Sequence, residues 1–281
     1  GVQTCALPIY KEEMLEGSEV NWPEAEDYEQ LQFQLLTQGR RSFFQEKQNE
    51  PLGHDDSLFN TDQIITFRET PESYTINSKS YQKGTEHKRR SYSRKDLYIV
   101  AHLDSALGKS GKSRGDFAAI AVVGIAQDNQ ILLLETWIKR ARPTEQIRVL
   151  WDLHEKYQFE VAAIEGTGFQ ELLSVPLKQE EQERRKIHPA ASLKIEIIKP
   201  RLKKELRIAR LEPLLNRGQL VLNEKLHEEF WRELSDFPNT KHDDALDATD
   251  AAVQLALDII ADSKKEHLTI SSIKGNKKKI I

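Results

Sequence analysis

Between Asp96 and Glu165 the chain places four short apolar runs in close succession, and their spacing narrows the choice of fold more than any other feature. LYIVAHL (97–103) runs into Asp104 and FEVAAI (159–164) runs into Glu165. Between them lie FAAIAVVGIA (117–126) and ILLLETWI (131–138), joined by the turn-forming residues QDNQ (127–130). Runs this short and this apolar read as buried strands. The brief connection between the second and third predicts an antiparallel hairpin. Thr144 opens a predicted helix, with Ile147, Leu150, Leu153 and Tyr157 spaced three to four apart. A helix in that position must cross over with right-handed sense. It lays the fourth strand parallel to the first and beside it. Asp104 and Glu165 are then expected at the carboxyl ends of neighbouring strands, the usual site edge of a parallel segment.

The remaining elements continue the pattern. GTGFQELLSVPL reads as a glycine turn into a short helix, and LKIEII (193–198) as a fifth strand. KKELRIARLEPLLN (203–216) reads as a helix closed by Gly218, QLVL (219–222) as a strand, and KLHEEFWRELSDF (225–237) as a helix. An Asp-rich helix comes last. A three-strand meander followed by helix–strand–helix–strand–helix is the order of the ribonuclease H-like fold. The expected class is α/β: a mixed sheet, three antiparallel strands then parallel strands, flanked by helices.

The last helix opens with KHDDALDATD (241–250), which crowds Asp243, Asp244, Asp247 and Asp250 together. Like charges four apart on a helix repel. The macrodipole favours acids in a first turn, and Thr240 or Asp243 can serve as N-cap. That accounts for Asp243 and Asp244 but not for Asp247. The open readings for this stretch are a solvated acidic face or a divalent cation. Asp104 and Glu165 favour the cation, because a third carboxylate from this helix can meet them. Three clustered carboxylates raise one another's pKa and need a cation between them. Oxygen donors without sulfur select a hard ion, Mg²⁺ or Mn²⁺. Two such ions suit phosphodiester hydrolysis. Asp250, a turn further on, is expected to be solvated.

Composition bounds the rest. The chain has 281 residues, 31 % of them charged, and a formal net charge of −4, so no global basic field points to nucleic acid. The basic residues are unevenly placed. Lys199, Arg201, Lys203, Lys204, Arg207 and Arg210 cluster beside the inferred carboxylate site, and the tail KGNKKKII is basic. A basic rim beside an acidic centre suits a polyanion; the competing reading is ordinary solvation. GKSGKS (108–113) looks like a phosphate loop but lacks the glycine the Walker pattern requires, and it leads to a strand. It reads as a basic hairpin loop whose Lys109, Lys112 and Arg114 either touch DNA or are solvated. His242 either orients a water or phosphate or is part of the helix approach. No apolar run approaches the ~20 residues of a membrane span, and no secretory signal is visible, so a soluble cytoplasmic protein is expected.

The N-terminal stretch GVQTCALPI (1–9) carries the lone cysteine, Cys5, and fits nothing that follows. Written back into codons it matches a common sequencing-adapter oligonucleotide. It is read as an artefact, with the protein truncated behind it. Residues 10–67 are polar, with a helical stretch around 27–47 that includes Leu31, Phe33, Leu35 and Leu36. Residues 68–95 are rich in Ser, Thr, Lys, Arg and Glu and read as a flexible linker. The main domain is expected over 96–262, with a basic tail over 263–281.

LYIVAHLD, DFAAIAVVG (116–124), VAAIEGTGFQ (161–170), KKELRIARLEPLLNRGQLVL (203–222) and FPNTKHDDALDA (237–248) together resemble the C-terminal nuclease domain of the large terminase subunits of tailed phages. NWPE (21–24) and RRSFFQEKQNEP (40–51) resemble the segment joining that family's ATPase motor to its nuclease, so 10–67 is expected to be a motor remnant. The resemblance implies a two-metal endonuclease that cuts concatemeric double-stranded viral DNA during packaging in the host cytoplasm. It implies Asp104, Glu165 and Asp243 as catalytic metal ligands with Asp244 close by, and Asp247 and His242 standing behind them. It implies DNA contacts from Lys109, Lys112, Arg114, Lys203, Lys204 and Arg207. The portal protein and the small terminase subunit are the implied partners of the full-length protein. A junction resolvase or transposase of the same fold, or a non-catalytic packaging module, are the competing readings. No Walker motor precedes the domain here, which departs from the family.

Overall fold

The computed structural model describes residues 57–76, 90–105, 117–166, 173–200 and 202–276, together with Asp27, Gln30, Leu31 and Gln34. Side chains are described as far as residue 261. The proposed adapter stretch, Lys109, Lys112, Arg114, Arg201 and most of the 27–47 helix lie outside these residues. The chain divides into two compact units, Gly1–Leu52 and Gly53–Ile281. The second carries every element discussed below.

Its strands are β1 (Thr66–Glu69), β2 (Ser73–Ile76), β3 (Ser91–Ser93), β4 (Leu97–Asp104), β5 (Ala118–Ala126), β6 (Ile131–Lys139), β7 (Val161–Glu165), β8 (Ile195–Ile198) and β9 (Leu220–Asn223). Its helices are α1 (Pro143–Tyr157), α2 (Ser174–Ile187), α3 (Lys204–Ala209), α4 (Leu211–Asn216), α5 (Glu228–Asp236) and α6 (Asp244–Asn276). They build one sheet in the order β3-β2-β1-β9-β6-β5-β4-β7-β8. The meander β4–β5–β6 is antiparallel, with Asn129 turning the hairpin at φ 66, a conformation that Asn tolerates better than most residues. β7 lies parallel beside β4, as the crossover rule requires, and β8 is parallel beside β7. This is the mixed ribonuclease H-like sheet expected from the sequence.

Period-two alternation divides the sheet into two faces. Val100, Ala119, Ala121, Val161 and Ala163 point into a core shared with Ile208 and with Ala245, Leu246, Ala248 and Ala252 of α6. Ile99, Ala101, Leu103, Ala162 and Ile164 point the other way, onto Ile147, Leu150 and Trp151 of α1. β5 is buried along its whole length, as a central strand covered by helices on both faces must be.

Three expectations are corrected. Residues 68–95 are not simply a linker: β2, β3 and most of β1 lie there and pair into the main sheet, while 77–89 fall outside the described residues. Phe67, Tyr74 and Ile76 are buried, and Phe67 and Tyr74 meet edge to face. The polar residues between them sit on a sheet margin. The helix expected over 203–216 is two, broken at Arg210. Pro213 in the first turn of α4 has no N–H to continue the α3 ladder. Gly218 does close α4, at φ 64, where its own N–H and that of Gln219 meet the carbonyls of Leu215 and Leu214. The helix after the glycine turn is longer than expected. α2 runs through QEEQERRK, held by Arg184–Glu180 and Arg185–Glu181 pairs one turn apart. No helix among the described residues is long and apolar enough to cross a membrane.

Candidate metal centre

Leu103 on β4 pairs in register with Ile164 on β7. One residue further along each strand stand Asp104 and Glu165, on chains about 4.8 Å apart. Both share parity with Val100 and Val161, so both project from the face that α6 covers. Burial pushes the Asp104 carboxyl up to about 7; Lys204 opposes the shift, and Asp247, Asp244 and Glu165 reinforce it. Asp247 and Asp244 of α6 are thus close enough to Asp104 to act on its carboxyl.

α6 begins at Asp244. Asp243 is its N-cap residue, and the Asp243 carbonyl accepts the Asp247 N–H at 3.0 Å. The next two amides are capped from outside the helix. Glu233 of α5 is completely buried, and its Oε2 accepts from the N–H groups of Ala245 (2.9 Å) and Leu246 (3.1 Å). Burial pushes the Glu233 carboxyl up to about 8, with the two amides pulling it down and Asp244 and Asp243 pushing it further up.

The aspartate side chains turn toward α3. Lys204 Nζ lies 2.8 Å from Asp243 Oδ1, 2.8 Å from Asp244 Oδ1 and 4.0 Å from Asp247 Oδ2. Arg207 grips Asp247 with two bonds, Nε to Oδ1 at 2.8 Å and Nη2 to Oδ2 at 2.5 Å. Arg210 reaches Asp250 Oδ2 at 2.5 Å. The three rungs share one sequence offset of 40 residues, so α3 and α6 run side by side in the same direction. Asp250 is therefore not solvated, as the sequence led us to expect; it is fully buried on the Arg210 rung. Lys204 and Arg207, expected on a DNA-facing rim, are ion-paired with the last helix. A positively charged stripe three residues apart meets an acidic stripe of the same period.

His242 stacks edge to face on Phe117, with ring centroids 4.6 Å apart, and the Arg140 guanidinium lies over the same Phe117 ring, 4.5 Å from its centroid. Since Ala119 pairs with Asp104, Phe117 and His242 belong to the same sheet edge as the strand-end carboxylates. A cleft of about 700 Å³ opens beside Glu165, lined also by His102, Lys199, Arg207 and Asp247 among others. Sequence reasoning missed His102 and Glu233. His102 is buried two residues before Asp104, and burial with Arg207 nearby pushes its pKa down to about 3, so it is neutral. Its signal was a histidine inside an otherwise apolar strand. The signal for Glu233 was an acid three residues after Phe230 and four before Phe237, on the apolar side of α5.

Among the described residues no three His, Cys, Asp or Glu side chains are gathered closely enough to chelate an ion. The donor chemistry nevertheless fits a hard divalent cation. Asp104, Glu165, Asp243 and Asp244 offer only carboxylate oxygens, and the excess negative charge already draws the Lys204 ammonium among the aspartates.

A sequence profile described as the terminase RNaseH-like domain matches residues 103–255, more than half of the chain. The chain belongs to this family. The match runs from the end of β4 into the first half of α6, so Asp104, Glu165, His242, Asp243, Asp244, Asp247 and Asp250 lie within the terminase domain. Solved structures similar to this terminase domain include the large terminase nuclease of thermophilic phage G20c, at 13 % identity over 69 % of this chain and 96 % of that one, with a TM-score of 0.41. The human cytomegalovirus terminase nuclease domain, soaked with Mn and inhibitor-bound, is 14 % identical over 60 % and 88 %, with a TM-score of 0.44. The Thermus phage P74-26 large terminase nuclease domain is 13 % identical over 68 % and 90 %, with a TM-score of 0.38. No curated protein matches the sequence.

Proposed function

We propose that this terminase domain is a metal-dependent endonuclease that hydrolyses phosphodiester bonds of concatemeric double-stranded viral DNA during packaging. One observation carries the reading: two carboxylates end adjacent parallel strands on the face where the aspartates of α6 begin. Asp104, Glu165 and Asp243, with Asp244 beside them, are the side chains that would hold two Mg²⁺ or Mn²⁺ ions. When bound, such ions activate a water and stabilise the leaving oxygen. Arg207 fixes Asp247 behind the site, and His242 is held at its edge by Phe117. Lys109, Lys112, Arg114 and Lys203 would meet the phosphate backbone, and their contacts would weaken with salt. In this reading residues 10–67 are the end of the segment that joins motor to nuclease. The full-length protein would work with the portal and the small subunit in the host cytoplasm.

Plasmid cleavage with Mn²⁺ tests the reading. The parent should cut, and Asp104→Asn and Asp243→Asn should each lose at least about 100-fold in rate, a few kcal/mol of barrier. A folded parent that never cuts with either metal, or cutting that survives both substitutions, rules it out.

A further inference from the structure

A helix that opens with an aspartate usually uses that side chain to cap itself, accepting the N–H of the second or third residue. α6 does not do this. Its second and third amides, those of Ala245 and Leu246, are both taken by one oxygen of Glu233, which reaches across from α5 and is shielded completely from solvent. Asp243 is thereby relieved of the capping role, and its Oδ1 faces Lys204 beside Asp244 instead. We infer that Glu233 is a positioning residue of the nuclease site, which caps the aspartate helix from a neighbouring helix so that the Asp243 carboxylate is left to bind a divalent cation. This rests on the proposed reading that Asp243 is a metal ligand.

The geometry yields a specific failure mode. Without Glu233, two amides in a buried helix start lose their acceptor, and the side chain that ordinarily serves amides in those positions is that of the N-cap residue, Asp243. Its carboxylate then turns onto the helix and away from Lys204 and Asp244. Capping needs an acceptor at the right reach, not a charge. Glutamine places a carbonyl oxygen where Oε2 stands, whereas aspartate is one methylene too short. A purely electrostatic role for Glu233 predicts the reverse order.

The test is Mn²⁺ binding to the full chain by titration calorimetry, with thermal melts run alongside. Glu233→Gln should bind Mn²⁺ within about twofold of the parent, and Glu233→Asp and Glu233→Ala should each weaken binding by about tenfold, a common cost of losing a residue that orients a metal ligand. Asp243→Asn should weaken binding strongly in the parent but add little in the Glu233→Asp background, because Asp243 has already left the site there. Equal losses for Gln and Asp, retention by Asp alone, or a full additive loss from Asp243→Asn in both backgrounds would overturn the inference. A folded parent that binds no Mn²⁺ would instead remove the metal reading beneath it. The Gln and Asp variants decide the question even where Glu233→Ala does not fold.

Discussion

Arg184 and Arg207 have side chains of nearly equal exposure, 15 % and 13 %, and both bind carboxylates. Arg184 of α2 gathers Asp152 and Glu155 from α1 and Glu180 from its own helix, at 2.5, 2.6 and 2.9 Å. Arg207 holds Asp247 alone. The difference lies in the acids. Asp152 and Glu155 are 56 % and 50 % exposed, while Asp247 is 6 % exposed. Water stands ready to replace Arg184 on Asp152 and Glu155, though less so on Glu180 at 18 %, but not Arg207 on Asp247. Judged by geometry alone the first cluster looks stronger; judged by what remains after the arginine is removed, the second matters more.

The largest effect is expected from Arg207→Leu. It leaves the buried Asp247 carboxylate with only Lys204, 4.0 Å away, and should cost about 3 kcal/mol in chemical denaturation. Adding Asp247→Leu should recover most of that loss, since replacing both partners of a buried pair is far milder than removing one. A single variant as stable as the parent would break the comparison.

A change of pH probes the α6 side without mutation. Glu233 ordinarily titrates near 4.5 but is pushed up to about 8 by burial. Between those values the folded protein keeps a proton that the unfolded chain has lost, so stability falls as pH rises and the contribution is gone above about 8. Asp104, raised to about 7, acts in the same direction. His102, lowered from 6.5 to about 3, acts oppositely below its ordinary value. From about pH 6.5 to 8 melting temperature should therefore decline, and Glu233→Gln should flatten the slope. Rising stability in that window would contradict the burial of these acids. The smallest effect is expected from Arg184→Leu: about 1 kcal/mol or less by the same denaturation assay, shrinking with added salt. A loss as large as that of Arg207→Leu would show that acceptor solvation does not govern these clusters.

Most of the fold was legible because the central strands are unbroken apolar runs and their connections permit few arrangements. Asp104 and Glu165 followed from that geometry, since a crossover helix leaves the ends of β4 and β7 side by side. β1 to β3 were not legible. Their buried residues, such as Phe67, Tyr74 and Ile76, stand singly among Ser, Thr and Glu, and such stretches resemble a linker until β9 supplies a partner for β1. The charged residues were readable by type but not by pairing. Periodicity assigns Arg207 and Asp247 each to a helix face, but it cannot say that the two faces meet across 40 residues of sequence. Asp250 was misread for that reason, and Glu233 was missed because its acceptors are backbone amides of another helix.

The shared offset of the three rungs between α3 and α6 has a mechanical consequence. Identical teeth at identical spacing specify direction but not position: if α3 slid by one tooth, Lys204 would face Asp247 and Arg207 would face Asp250, and most of the pairing would survive. Something without that repeat has to fix the setting. Ile208, fully buried between the second and third teeth, is seated in the core with Ala245, Ala248 and Ala252, and that slip would bring the exposed Glu205, three residues before it, into its place. The charges guide the two helices alongside each other, and a single uncharged side chain decides where they stop.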